Sequence, residues 1–569
     1  MQVGNGHFAF GADVTGLQTF LPFASMSDWA WKNDSLPVSL LFLDDHKDKM
    51  NVTESDLTDI KQELDLWTGV ITSQFRFQGQ PVVVTTIASQ TSSVIGIHLQ
   101  SPLLLTGQLG VYLDFPWNDG SQKFSAPFVG SFNDTNNHTT SLRSGGGLGG
   151  NIHAQIKHTL VASTFLTSGG DQFAISRDSP ATHRYSIHPK SSSQAFAFSL
   201  AYSLPGEAVT LAPYTTITSE SAQAWNMFWA QTGFVDVFTG SSDPRADELQ
   251  RRIILSRYLM RVNAAGDTSP QEVQEGFTIG ARWSKETDPS GRSAPGEINE
   301  LLIWQQPHPI VFAEYEYRAT GSQETLEKWK VVVNETANWM ADFAWWNAST
   351  SRYDLGPPMY VVSEDTSPNA TRNPAFELAY WRFGLGLAET WIQRLHLPVP
   401  SAWTEVKERL APLPIEDGLY AVYEGIEPDF WTDPTYTNDH PALSGLHGWL
   451  PPINGVNDTV AKLTADKVYT AWNISNCWGW DFAMLAMSAA RNGEAEKAVE
   501  WLLHPLYQFD DVGMPIGGVR VPTPYFPGSG SLLLAIAMMS AGWDGSEDPA
   551  PGFPAEGWSV RVEGISRAV

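Results

Sequence analysis

Three acidic residues in the second half of the chain lie in segments rich in proline, glycine and aromatic residues. Glu364 closes the run PPMYVVSE, Asp439 lies in TNDHPAL, and Asp481 follows the aromatic pair in CWGWD. Loops carried by a rigid scaffold are where catalytic side chains concentrate. Two carboxyl groups are what glycosidic cleavage needs, because one protonates the leaving oxygen while the other activates water or attacks the anomeric carbon. Glu364, Asp439 and Asp481 are therefore the candidate catalytic residues.

Each candidate also has a simpler interpretation. The apolar run before Glu364 would raise the pKa of its carboxyl, as a general acid requires, but an acid in a loop can equally be a solvated side chain. Asp439 and Asp481 each precede or open a predicted helix, where aspartate commonly caps the first turn. Spacing alone leaves these alternatives open.

A second set of residues could bind a sugar. Trp304 and His308 follow Glu300 in the stretch ELLIWQQPH, and Trp478 and Trp480 flank Gly479. Binding pockets are lined by aromatic side chains with a few polar groups that fix orientation. These five residues, Glu300, Trp304, His308, Trp478 and Trp480, are the candidate substrate-binding residues, although a single histidine or tryptophan is more often part of a core.

Composition restricts the class of partner. The formal net charge of −27 disfavours nucleic acid and anionic membranes, and a neutral small carbohydrate is compatible with it. Cys477 is the single cysteine, so no internal disulfide is expected, and no Cys/His spacing predicts a metal site. No Walker loop, nucleotide-binding glycine motif or Gly-x-Ser-x-Gly elbow occurs, so no cofactor is predicted.

Glycosylation sequons recur along the chain and favour a secreted protein. They include Asn51, Asn133, Asn137, Asn334, Asn347, Asn369, Asn457 and Asn473. The first residues predict a strand and turn rather than a charged segment followed by an apolar one, so no signal peptide is visible. An extracellular location is expected on the strength of the sequons.

The periodicity of the chain changes near residue 220. Before it, alternating runs such as PVVVTTI (81–87) and AFAFSLAY (195–202) predict an antiparallel sandwich. After it, helices are predicted over 246–265, 325–345, 374–395, 481–492, 494–504 and 529–541, followed by a short strand in the tail. We expect a β-sandwich domain over 1–220, a helical linker over 221–265, and a helical toroid over 266–569.

Several motifs resemble those of one group of enzymes over nearly the whole chain. They are VGNGHFAFGADVTGLQTF (3–20), NPAFELAYW (373–381), NDHP (438–441), WGWDF (478–482) and PGFP (551–554). In these the chain resembles six-hairpin glycosidases related to glycoside hydrolase family 65, which includes acid trehalase and the kojibiose and maltose phosphorylases. The resemblance implies a multidomain β + α fold, an N-terminal antiparallel β-super-sandwich followed by an (α/α)6 barrel, and inversion at an α-linked anomeric centre.

The resemblance also implies roles for the candidates. Glu364 occupies the place of the general acid, and Asp439 lies nearest the place of the base, with Asp481 as the alternative. The chain departs from the group at 296–304, where relatives carry a His- and Trp-rich stretch, and it lacks the Ser-Ser pair that holds phosphate in the phosphorylases. We expect an inverting exo-acting α-glycoside hydrolase, and keep a non-catalytic carbohydrate-binding protein and a disaccharide phosphorylase as alternatives.

Overall fold

The computed structural model describes residues 1–23, 26–27, 37–117, 130–145, 152–158, 163–167, 172–190, 193–203, 211–266, 280–283, 301–364, 366–516 and 525–569. The chain divides into two compact units, one of residues 1–232 and 258–269 and the other of residues 233–257 and 270–569. The predicted catalytic candidates all belong to the second unit.

The first unit consists mainly of antiparallel strands. They are β1 Gln2–Gly4, β2 Phe8–Gly11, β3 Met26–Ser27, β4 Val38–Phe42, β5 Leu57–Asp65, β6 Val70–Phe77, β7 Gln80–Ala88, β8 Val94–Gln100, β9 Leu109–Asp114, β10 Thr140–Ser144, β11 Ala154–His158, β12 Ser163–Thr167, β13 Phe173–Arg177, β14 Arg184–Pro189 and β15 Ala195–Ser203. Helices α1 Leu103–Thr106 and α2 Tyr214–Gln231 accompany them. The largest sheet has the order β10-β11-β12-β15-β8-β7-β6-β5, and a second has the order β13-β14-β9-β4.

Alternation and turn chemistry set the register of these strands. Inward and outward residues alternate along the second half of β6, and Phe77 pairs with Gln80 of β7 across a two-residue turn. Gln78 and Gly79 in that turn have φ values of 49° and 77°, as the tight turns that match the twist of a hairpin require. Most buried apolar residues of β6, β7, β8 and β15 share one core, whereas Ile87, Val94 and Ala201 pack in a second cluster with Ile217 of α2.

The second unit consists mainly of helices joined by short connections. They are α3 Arg245–Ala264, which extends into the first unit, α4 His308–Thr320, α5 Gln323–Phe343, α6 Ala375–Arg394, α7 Ser401–Arg409, α8 Pro434–Thr437, α9 Asp458–Ala471, α10 Asp481–Arg491, α11 Ala495–Leu502 and α12 Phe526–Ala541. Short strands lie between them: β16 Phe234–Asp236, β17 Trp345–Asn347, β18 Arg352–Asp354, β19 Ile415–Glu416, β20 Leu419–Tyr420, β21 Gln508–Phe509, β22 Pro515–Ile516 and β23 Arg561–Glu563.

Aromatic side chains fill much of the helical core. Trp339, Trp381, Trp391 and Trp403 are all but inaccessible to solvent. Three of their ring N–H groups have acceptors, as buried indoles usually do: Trp381 donates to the Met340 carbonyl at 2.9 Å, Trp391 to the Leu326 carbonyl at 3.3 Å and Trp403 to Asn338 Oδ1 at 3.0 Å. α6 is enclosed on all sides at its start, because each residue from Ala375 to Trp381 is buried. The first turn of α6 therefore lies inside the second unit, next to the segment that carries Glu364.

Candidate active site

Glu364 lies in a tight turn that follows the apolar run predicted from the sequence. Its main-chain N–H donates to the Val361 carbonyl at 2.9 Å, and its side chain is partly exposed. Its φ of +63° falls in the left-handed region, which costs a non-glycine residue on the order of 1–3 kcal/mol. The surrounding contacts therefore have to hold this turn in place.

The segment before the turn is held by main-chain hydrogen bonds. Tyr360 N–H donates to the Leu301 carbonyl at 3.1 Å, and Met359 N–H donates to the Pro368 carbonyl at the same distance. Leu302 and Tyr360 form an isolated parallel bridge. The strand-like segment that carries Glu364 is thus attached to the segment that carries Trp304.

The carboxyl of Glu377 contacts the same turn. The sequence predicts Glu377 only as part of the start of a helix. Val362 N–H donates to Glu377 Oε1 at 2.9 Å, and Glu377 is 1% exposed. Burial raises the pKa of this carboxyl to about 8, against the opposing effect of hydrogen bonds from the main chain of Glu377 and Val362. An acidic residue inside the apolar run AFELAYW was the signal that could have identified it.

Asp481 is buried, and each of its two carboxylate oxygens has a hydrogen-bond partner. Oδ1 lies 2.8 Å from His440 Nδ1, and Oδ2 accepts from Trp478 N–H at 2.7 Å. The side chain is 0% exposed. Burial raises its pKa, and the nearby His440 opposes that rise. Asp481 is the first residue of α10 but not its N-cap, which is Trp480; its role in the structure is to hold His440 and the turn before the helix.

Asp439 lies on the other side of His440. Its Oδ1 accepts from Trp478 Nε1 at 3.0 Å and from the His440 main-chain N–H at 2.8 Å, and stands 3.5 Å from His440 Nε2. Its side chain is 13% exposed, in contrast to that of Asp481. It does not cap a helix: α8 begins after Asp433, and the 3₁₀ helix Ala442–His447 begins after Pro441. The two candidate bases are thus linked through one imidazole.

A cavity adjoins both the Glu364 turn and the Asp439 segment. Ser363 precedes Glu364 and His440 follows Asp439, and both line this cavity. Its lining also includes two aromatic rings, a buried carboxyl and several aliphatic side chains: Val361, Phe376, Glu377, Val422, Ala442, Leu443 and Trp472. The immediate chain neighbours of the predicted acid and the predicted base therefore line the same cavity.

Aromatic rings extend from His440 to the predicted sugar-binding residues. The Trp480 ring centroid lies 4.5 Å from that of His440, and 6.1 Å from that of Trp304 in a stacked arrangement. Trp304 in turn packs edge-on against His308 at 5.0 Å. Burial lowers the pKa of His308 to about 4, and its Nδ1 lies 2.6 Å from the Tyr380 hydroxyl, so His308 is a neutral hydrogen-bonding group.

The structure thus brings four of the five predicted sugar-binding residues, Trp304, His308, Trp478 and Trp480, into one continuous group around His440. Glu300, the fifth, lies outside the described residues. Trp304 Nε1 is buried without a hydrogen-bond partner among the residues that the structure describes. The roles of all eight candidate residues stay predictions, because proximity alone does not assign chemistry.

The described residues include neither a metal-binding cluster nor a membrane-spanning helix. Within the described ranges, no group of three or more His, Cys, Asp or Glu side chains could hold a metal ion. None of the helices in the described part of the chain is long and apolar enough to span a bilayer.

Comparisons with known proteins identify the fold. No family model matches the chain, and a search of curated proteins gives no match. Among solved structures, a protein described as a kojibiose phosphorylase, from human microbiome, matches 95% of this chain and 86% of its own at 8% identity, with a TM-score of 0.61. A bacterial glucoamylase in complex with acarbose matches 95% of this chain and 97% of its own at 9% identity, with a TM-score of 0.50.

These similarities define the class of fold. The chain has the six-hairpin glycosidase-like architecture, a β-super-sandwich followed by an (α/α)6 barrel, and the fold predicted from the sequence motifs is confirmed. The same fold can host different chemistries, so function has to be argued from the site.

Proposed function

We propose that this protein is an inverting, exo-acting glycoside hydrolase that cleaves an α-linked glucosyl disaccharide or glycan end. Glu364 acts as the general acid and Asp439 as the general base. The observation that carries the proposal is the cavity between the Glu364 turn and the Asp439–His440 segment, since it is lined by the neighbours of both residues. An inverting pair works across a gap of roughly 6.5–9.5 Å that admits one water molecule.

The contacts of the two aspartates support Asp439 over Asp481 as the base. Both oxygens of Asp481 are occupied, one by His440 Nδ1 and the other by a main-chain N–H, and its side chain is inaccessible. Because the Asp481 side chain is fully buried, a water can reach its carboxylate only if the residues around it move apart. Asp439 is the more accessible of the two and shares the same imidazole.

The lining of the cavity supports hydrolysis over phosphorolysis. A phosphate co-substrate is recognised by cationic side chains or by clustered N–H donors. The lining residues within the described part of the chain include no Lys or Arg, and they do include the Glu377 carboxyl. A neutral water is the better match to such a wall than a phosphate dianion.

Replacement of the proposed acid tests the mechanism. Glu364→Gln should lower kcat on a responsive substrate by a hundredfold or more, because general acid catalysis contributes about 10²–10⁴-fold. The substrate is found by screening trehalose, kojibiose and maltose for glucose release, and the configuration of the first product is read by NMR. Glu405→Gln is the matched control, since Glu405 lies half-exposed on α7 and pairs with Arg409.

The outcomes separate the alternatives. Release of the product with inverted configuration, lost in Glu364→Gln and kept in Glu405→Gln, is the expected result. Sugar binding without turnover would favour the carbohydrate-binding protein, which the altered stretch at 296–304 motivates. Turnover that requires added inorganic phosphate would favour the phosphorylase.

A further inference from the structure

Glu377 is a carboxyl group in a place where a carboxyl group is costly. It is the third residue of α6, and its neighbours in that turn, Phe376 and Leu378, are buried with it. Unpaired buried carboxyls are rare because burial removes the hydration that the charged form needs. No salt bridge to Glu377 occurs among the described residues, and the side chain reaches instead to the main chain of the Glu364 turn.

The usual role of a glutamate at this position is not available to Glu377. Glutamate at the third helical position commonly accepts from the N–H of the N-cap residue. The N-cap of α6 is Pro374, which has no N–H. The carboxyl accepts from Val362 N–H, fifteen positions earlier in the chain, so besides the hydrogen bond from its own main chain it contacts another segment.

The segment that Glu377 contacts needs support. Glu364 has a left-handed backbone conformation, and the N–H of Val362 is buried two residues before it. A buried N–H without an acceptor costs about 1–3 kcal/mol, comparable to the strain at Glu364. Removal of the acceptor therefore favours rearrangement of the turn, with displacement of the Glu364 side chain.

We propose that Glu377 is a positioning residue for the reaction: its carboxyl accepts a hydrogen bond from Val362 N–H, holds the Val361–Glu364 turn, and thereby fixes the position of Glu364 next to the cavity that Val361 and Ser363 line. The inference rests on the proposed function of Glu364 as general acid. Glu377 touches the turn and lines the cavity beside Ser363 and His440.

The protonation state of Glu377 follows from its surroundings. With a pKa of about 8, the carboxyl is neutral at physiological pH. The titratable groups around it are Glu364 on the turn and His440 across the cavity, with Asp439 and Asp481 beyond that imidazole. Ionisation of Glu377 above pH 8 adds a negative charge near the proposed acid and base, which raises their pKa values, while the hydrogen bond from Val362 N–H favours the charged carboxylate.

Two substitutions separate positioning from bulk packing. Glu377→Gln keeps an acceptor oxygen for Val362 N–H, so kcat should stay within about threefold of wild type. Glu377→Leu has a similar volume but no acceptor, so kcat should fall tenfold or more with KM changed less than threefold. Glu389→Gln is the control, because Glu389 is another largely buried glutamate of α6, held by Thr404 and Lys407.

Two results in these kinetics would overturn the inference. Glu377→Gln could be as inactive as Glu364→Gln while circular dichroism and the melting temperature are unchanged; Glu377 would then be a proton donor itself. Alternatively, Glu377→Leu could retain wild-type kcat and pH profile, in which case the hydrogen bond to Val362 has no role in catalysis.

Hydrogen exchange tests the same contact without any substrate. The Val362 amide, followed by mass spectrometry on peptides that span 355–373, should stay protected in wild type and Glu377→Gln. It should exchange at least tenfold faster in Glu377→Leu. If the wild type cleaves none of the sugars but shows this exchange pattern, the proposed function is wrong and the contact between Glu377 and the turn is still supported. If the Val362 amide is equally protected in wild type, Glu377→Gln and Glu377→Leu, the inference is wrong even if the enzyme is active.

Discussion

Each of the two compact units buries a cluster that contains histidine, and the two clusters differ in what faces the imidazoles. In the first unit, His138, His158 and His183 pack against one another, with His138 Nδ1 2.6 Å from His158 Nε2 and the rings of His138 and His183 3.8 Å apart. In the second unit, His440 lies between Asp439 and Asp481. The first cluster consists of three imidazoles, whereas the second places one imidazole between two carboxyl groups.

The difference in partners changes the chemistry. Burial and the neighbouring His183 and Arg177 lower the pKa of His138 to about 4, and burial also lowers that of His158 to about 4. His183 is satisfied by Thr140 and by the Thr135 carbonyl. The imidazoles of His138 and His158 are therefore neutral packing groups of the first unit. His440, in contrast, orients a buried carboxylate and borders a cavity, which is the arrangement expected of a reactive site.

The largest effect on activity should come from replacing Asp439, one of the two carboxyl groups next to His440. Asp439→Asn removes the proposed base and should lower kcat a hundredfold or more, measured on whichever disaccharide the wild type cleaves. Asp466→Asn, on the exposed face of α9, is the control. If Asp439→Asn keeps near-wild-type turnover while Asp481→Asn abolishes it, the base is Asp481 and the assignment made from accessibility is wrong.

The first cluster should make stability fall on acidification. The folded pKa values of His138 and His158, about 4, lie below the unfolded value of about 6.5, so the unfolded chain binds more protons between these pH values. The free energy of unfolding should therefore decrease as pH falls from 6.5 to 4, by up to roughly 1 kcal/mol per pH unit for each histidine. The imidazole NMR signals of His138 and His158 should not titrate above pH 5. A titration midpoint near pH 6.5 would show that these histidines are not held neutral by burial.

Glu377 should have the opposite effect on stability, so that the free energy of unfolding decreases as pH rises. Its folded pKa, about 8, lies above its unfolded value of about 4.5, so its contribution to stability is complete below pH 4.5 and is lost as pH rises through 8. The decline should not exceed roughly 1 kcal/mol per pH unit. Urea denaturation of wild type and Glu377→Gln between pH 6.5 and 8.5 isolates this contribution. Parallel curves for the two proteins would mean that Glu377 is already ionised at neutral pH.

The smallest effect concerns the aromatic group beside His440. Trp480→Ala removes a ring that contacts both His440 and Trp304, and an aromatic contact of this kind contributes about 0.5–1.5 kcal/mol. We expect KM to rise up to about tenfold with kcat nearly unchanged. Trp345→Ala, at a tryptophan 44% exposed on β17, is the control; an equal rise in KM for both variants would argue against a sugar-binding role for Trp480.

Much of the second unit could be predicted from local patterns. The predicted helix over 374–395 corresponds to α6, Ala375–Arg394, and that over 481–492 to α10, Asp481–Arg491. These boundaries are encoded nearby, by Pro374 before one helix and by Gly493, with a φ of 78°, after the other. The motifs NDHP and WGWDF also marked the segments that meet at His440, because residue types suited to sugar chemistry stand together there.

The sequence by itself determined helices such as α6 and α10 and the residue types at their ends, because those properties depend on neighbours a few positions away. Helices α4 and α9 were not predicted. Only the tertiary structure decided that Asp481 is fully buried and that Asp439 is the more accessible acid. His440 and Asp481 are 41 positions apart, and the Glu377 carboxyl meets Val362 across 15. Burial and hydrogen-bond partners at such separations depend on how the helices pack, so the roles of Asp481 and Glu377 became visible only in the folded chain.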